Sequence, residues 1–191
     1  MKHLIFILTF LTFQLLQGQE NELPFAEIGP YPENYSAQGV LQRLISGLGY
    51  RFYWASAGLC PEDLNYRPSN YSRATIEILE HIHQLSATIA TTLDANPVES
   101  VHDQMTYHEL REGTLNHLQS AVRSLDEVTD FSELSVKIVR PSQTYEFPFW
   151  HLINGQISDA LWHCGQLVMN RRASGNPIKS GVNVFLGQNN F

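Results

Sequence analysis

The stretch "SDALWHCGQLVMNRRASGNP", residues 158–177, carries both the fold and the chemistry of this chain. With Leu152 just upstream, Ala160 and Leu167 recur at helical spacing and form an apolar stripe. The helix is expected to start near Pro148, a residue type tolerated in a first helical turn. It is expected to end near Ala173 or Ser174, where Gly175 supplies the stop and Pro177 enforces it. Arg171 and Arg172 suit the negative end of the helix dipole. Asp159 and His163 stand four residues apart, so they are neighbours on one edge of that stripe. A carboxylate partly withdrawn from water needs a partner. The pair reads either as an internal hydrogen bond or as two arms of a site.

Three further helices precede this one. Val40, Leu41, Leu44, Ile45 and Leu48 predict a first helix from Ser36 to about Ala57, weakened by Gly47 and Gly49. Two prolines then break the chain. A second helix follows from about Arg73 to Leu93, with Ser72 as N-cap and a stripe of Ile78, Ile82, Leu85, Ile89 and Leu93. A third runs from about Asp103 to Leu125 through Leu110, Thr114, Leu118, Ala121, Val122 and Leu125. The connection after it is long, with a turn of helix near Phe131 and an extended piece at Val136 to Val139. Four helices of roughly 20 residues with a long crossover before the last predict an all-α four-helix bundle over residues 36–177. Residues 19–35 read as a polar lead-in and 178–191 as an irregular tail.

Residues 1–18, "MKHLIFILTFLTFQLLQG", have the layout of a signal peptide: Lys2, an apolar run, then polar and small residues. The run is short for a membrane span. Cleavage would leave an exported protein with no integral span. Export permits disulfides, but Cys60 falls in a loop and Cys164 in a helix, and two unpaired thiols are expected. Two "NYS" triplets, at Asn34 and Asn70, matter only where such sites are glycosylated. The 191 residues carry a formal net charge of -7. No basic run interrupts that balance, so a nucleic-acid partner is disfavoured.

In "EILEHIHQL", His81 lies beside Ile78, Ile82 and Leu85 and points inward, whereas His83 shares a polar face expected to meet water. His81 facing Asp159 and His163 would place two imidazoles and one carboxylate together, a donor set that suits zinc, nickel, iron or manganese. The competing reading is a core histidine and a hydrogen-bonded Asp–His pair. Gln166, one turn after His163, is placed to orient a ligand or substrate. His151, two turns before Asp159, is placed to line the mouth of the site. His117 borders the third helix's stripe, and His102 and His108 have no helix-face argument. Phosphate-cradling glycine loops, Cys-x-x-Cys pairs and Gly-x-Ser-x-Gly elbows are all missing from the sequence.

"YRPSNYSRATIEILEHIHQL" followed by "ALWHCGQLVMNRRASGNP" resembles the DinB/YfiT-like superfamily over roughly residues 36–177. The resemblance implies an up-up-down-down bundle, members that often pair as homodimers and, in many of them, a three-histidine metal site. His81 matches the ligand on the second helix and His163 the last ligand, while Asp159 stands where the middle histidine is found. It implies a divalent-metal-dependent enzyme of hydrolase or thiol-transferase type, acting on a small molecule. The alternative is a non-catalytic bundle, without metal, that binds a small molecule or a protein.

Overall fold

The computed structural model describes residues 23–94 and 105–191. The expected signal peptide and the expected helix start at Asp103 lie outside these residues. The long elements are α1 (Ala37–Ser56), α3 (Thr75–Leu93), α4 (Tyr107–Ser124) and α5 (Ser158–Ala173), with a short α2 (Pro61–Asn65) after α1. Their starts follow from local chemistry. Ser36 Oγ accepts from Gly39 N at 3.0 Å, and Thr106 and Glu109 cap α4 reciprocally. Ser72 is not the cap of α3. Its hydroxyl pairs with Ser69 Oγ at 2.9 Å, and the helix begins after Ala74, whose N–H donates to Glu77 Oε2 at 2.6 Å.

The predicted stripes meet in one core. Ile45, Leu48 and Phe52 of α1 pack with Ile78, Ile82 and Ile89 of α3, Leu110 and Leu118 of α4, and Leu152, Ala160 and Leu167. Each large aliphatic side chain among them, taken fully out of water, stabilises the fold by about 1.5–3 kcal/mol. The helix directions differ from the up-up-down-down expectation. Tyr107 donates to Ser56 O and Arg111 to Tyr53 O, so α4 runs antiparallel to α1. His83 meets Thr114 and Ser86 meets His117, so α3 and α4 are parallel. Asn170 reaches Thr75 and Asp159 reaches His81, so α5 is antiparallel to α3. The order is therefore up-down-down-up. Because α3 and α4 are parallel, the end of α3 and the start of α4 lie at opposite ends of the bundle. The segment before α5 instead crosses one end of the bundle, between the diagonal pair α4 and α5.

That segment is more structured than expected. Two 3₁₀ turns, Leu125–Glu127 and Phe131–Glu133, lead into an antiparallel hairpin of β1 (Ser135–Arg140) and β2 (Gln143–Pro148), paired from Ser135↔Pro148 to Arg140↔Gln143. Pro148 itself closes a strand, and the helical run opens two residues later, at Trp150, near the expected start. A π-helical turn, Leu152–Ile157, precedes α5. The tail is also ordered, as a two-residue ladder of β3 (Val182–Asn183) and β4 (Gln188–Asn189).

Tail and lead-in are woven together over α1. Ile28 N donates to Gly187 O at 2.8 Å, and Tyr50 Oη donates to Gln188 O at 2.8 Å. The Phe25 ring lies on Gly49, where a Cβ would fall 2.5 Å from the ring. Gly49 therefore gives up helix propensity for a seat that no larger residue leaves open.

The opening stretch has a second use. Arg171, 4% exposed, donates to Trp54 O and Ala55 O, satisfying carbonyls at the end of α1. It also donates through Nε to Asn176 O at 2.7 Å. Buried Asp63 accepts from Cys60 N, Asn176 Nδ2 and Ser174 Oγ. Burial by itself would raise its pKa, but those donors hold the carboxyl down to about 2. Through Asp63 and Arg171, α2 and the end of α1 are clasped to the end of α5.

Candidate metal centre

α3 and α5 face each other in the middle of the bundle, and there His81, Asp159 and His163 converge. His81 Nε2 lies 3.0 Å from Asp159 Oδ2, and His163 Nε2 lies 3.4 Å from Asp159 Oδ1. The imidazole rings stand edge to face, 4.7 Å between centroids. One donor atom from each residue falls within 4.8 Å of the others. Side-chain exposure runs from 11% at His163 through 26% at His81 to 44% at Asp159, so the group opens toward solvent on the carboxylate side. Among the described residues no other group of three or more His, Cys, Asp or Glu side chains meets in this way.

Gln166, one turn further on α5, fixes the state of His163. Its Oε1 accepts from His163 Nδ1 at 2.8 Å. In the neutral ring the proton is then on Nδ1, and Nε2 presents a lone pair. That lone pair faces Asp159 Oδ1, a second acceptor, at 3.4 Å. Two facing acceptors are relieved by a shared proton or by a shared cation. A bond radius of about 2.0–2.2 Å puts neighbouring donors about 3–3.5 Å apart around a zinc-like ion, close to the two spacings seen here. Two imidazoles and a carboxylate with solvent on one side are also a donor set that leaves coordination positions open. The residues present fit a divalent ion.

Arg73, in the segment entering α3, was not among the sequence candidates. Its Nη1 lies 3.4 Å from His163 Nε2. No periodicity marks a residue ahead of a helix, so position in sequence carried no signal for it.

The remaining histidines are placed elsewhere. His151 is exposed, packs its ring 5.3 Å from that of Phe147, and is not part of the cluster of donors. His151 stands just ahead of the π-helical turn Leu152–Ile157, and its ring packs on β2 and not on the donor group. His83 does not meet water as expected. It is half-buried between α3 and α4, against Gly113, with its ring 4.8 Å from that of His117. Burial lowers its pKa; burial, with the charge of His83 next to it, pushes His117 down to about 4. His108 is exposed beside Tyr107, and His102 lies outside the described residues. Cys60 and Cys164 are both free thiols, and burial raises Cys164 to about 12. It is not a nucleophile in this state.

No family model matches the sequence, and no curated protein matches it. A solved structure does: the crystal structure of a DinB family member protein from Shewanella denitrificans, at 17% identity and a TM-score of 0.52. The match covers 83% of this chain and 98% of that one. At this identity the likeness is one of fold, and the chain has the DinB-like helical fold that the motifs predicted. No helix among the described residues is long and apolar enough to cross a membrane.

Proposed function

We propose that this chain is an exported, divalent-metal-dependent enzyme in which His81, Asp159 and His163 hold the ion. One observation carries the reading: His163 Nε2 and Asp159 Oδ1 face each other as two acceptors, with His81 Nε2 on the same carboxylate. A bound zinc, nickel, iron or manganese ion would act as a Lewis acid and lower the pKa of a water or thiol reaching it. The chain's own residues do the rest. Gln166 keeps His163 in the Nδ1–H tautomer, and Asp159 orients both rings. The solvent-facing side leaves room for a small substrate. Hydrolysis and thiol transfer both fit this chemistry. For thiol transfer the thiol must come from a co-substrate, since Cys164 is buried and protonated.

A second reading rests on a different feature. An apolar cavity of about 670 Å³ opens between the start of α1 and the segment before α5, lined by Val40, Leu44, Phe131, Phe149, Trp150 and Ile153. Its size suits a small apolar ligand. In that reading the polar trio is a structural network. Pairing of two copies belongs to the proposal as well. Trp162 and Met169, 73% and 63% exposed and two turns apart on α5, give an outward apolar face for it.

Elemental analysis of protein purified without a histidine tag tests the first reading. Near-stoichiometric metal is expected in the wild type, with loss in Asp159→Ala and His163→Ala. Gln166→Leu should keep the site but weaken affinity by about 10- to 100-fold. A wild type that takes up none of the four ions leaves the binding bundle as the account.

A further inference from the structure

We propose that Arg73 receives an oxyanion group, a carboxylate or phosphate, of the substrate at the open side of the centre; this rests on the metal reading above. Arg73 sits one residue before the N-cap of α3 and is exposed, so it is free to reorient. Nearby Arg67 is already engaged by Glu77 at 3.6 Å. Arg73 makes no ion pair among the described residues; its guanidinium contacts His163 Nε2 at 3.4 Å without reaching salt-bridge distance of Asp159. It therefore approaches His163 from a side the carboxylate does not occupy.

That contact points to a role. Guanidinium and metal ion compete for the same lone pair on Nε2. Once the ion takes it, Arg73 is displaced but stays tethered beside a divalent charge. Two cations held that close repel unless an anion lies between them. A planar fork of N–H donors matches the two oxygens of a carboxylate or phosphate. In a chain of net charge -7, an anion would need such a local concentration of positive charge to be held. The substrate class that suits this arrangement is a small molecule whose reacting group lies next to a carboxylate or phosphate.

The test uses the full chain loaded with cobalt(II), whose visible bands report ligands entering the coordination sphere. Acetate, methyl phosphate and neutral acetamide are titrated into wild type, Arg73→Ala and Arg73→Lys. Wild type should bind one or both oxyanions and not acetamide, and comparison of the two shows which group is preferred. Loss of a charge-assisted contact should weaken that binding about tenfold or more in Arg73→Ala, with partial recovery in Arg73→Lys. Cobalt affinity in Arg73→Ala should hold or rise, because a competitor for Nε2 is gone. Equal oxyanion affinity in wild type and Arg73→Ala, or no oxyanion binding at all, overturns the role of Arg73 and leaves the metal site standing. Failure of the wild type to bind cobalt overturns both.

Discussion

Replacing Asp63 by asparagine tests the clasp that ties the end of α5 to the end of α1. The carboxylate is 1% exposed and accepts from Cys60 N at 2.9 Å, Asn176 Nδ2 at 2.6 Å and Ser174 Oγ. Its folded pKa of about 2 lies below the ordinary 3.8. Each unit of such a difference is about 1.4 kcal/mol, so the charged form contributes about 2 kcal/mol to stability. The sign follows from the lowered pKa. The unfolded chain takes up the proton first as pH falls, so the contribution is complete above about pH 4 and is lost as pH drops toward 2. The carboxamide of the variant would also turn an N–H₂ group toward donors that have no acceptor left. Urea denaturation of wild type and Asp63→Asn at pH 7 should therefore differ by about 2 kcal/mol or more. The gap should narrow steadily on acidification below pH 4. Equal stability at pH 7, or a gap independent of pH, would refute the assignment of the clasp to an ionised carboxylate.

Gly113→Ala places a Cβ 2.6 Å from His83 Cε1, and His83 is backed by the His117 ring. The strain of about 1–3 kcal/mol outweighs the helix-propensity gain of about 1 kcal/mol, so thermal unfolding should show a lower Tm, recovered in part by His83→Ala. A Tm above wild type would show that the α3–α4 contact has slack. His117, held at about 4 against an ordinary 6.5, stays neutral in the fold while the unfolded chain protonates. Wild type should lose stability as pH falls from about 6.5 to 4, and His117→Leu should lose less over that window; parallel pH profiles in urea would contradict a buried neutral imidazole.

Much of the fold was legible because helical stripes are local. Ile78, Ile82 and Ile89 recur along one face and are buried in the structure, as are Leu110, Leu118 and Leu167. The same logic placed His81 beside such a stripe and Asp159 one turn from His163, and all three meet. Direction was not legible. A stripe reads the same whichever way its helix runs, so the periodicity left the parallel pairing of α3 with α4 undetermined. His83 shows the same limit at one residue. Its own helix neighbours mark a polar face, but α4 brings Gly113, Thr114 and His117 against it.

Pattern also failed where the backbone left the α-helical period or where contacts were made by loops. The π-helical turn interrupts the last helix, and His151 ahead of it packs on Phe147 of β2. Arg73 and Asp63 act from segments at helix entrances, and their partners on α5 and just after it are 90 or more residues away. By itself, then, the sequence determined the helices, their buried faces and the three donors, because each depends on spacing within a single element. The tertiary structure alone decided helix direction, the contact that seats His81 on the Asp159 carboxylate and the contact of Arg73 with His163. These are relations between elements distant in the chain, set by which surfaces pack together and not by any local period.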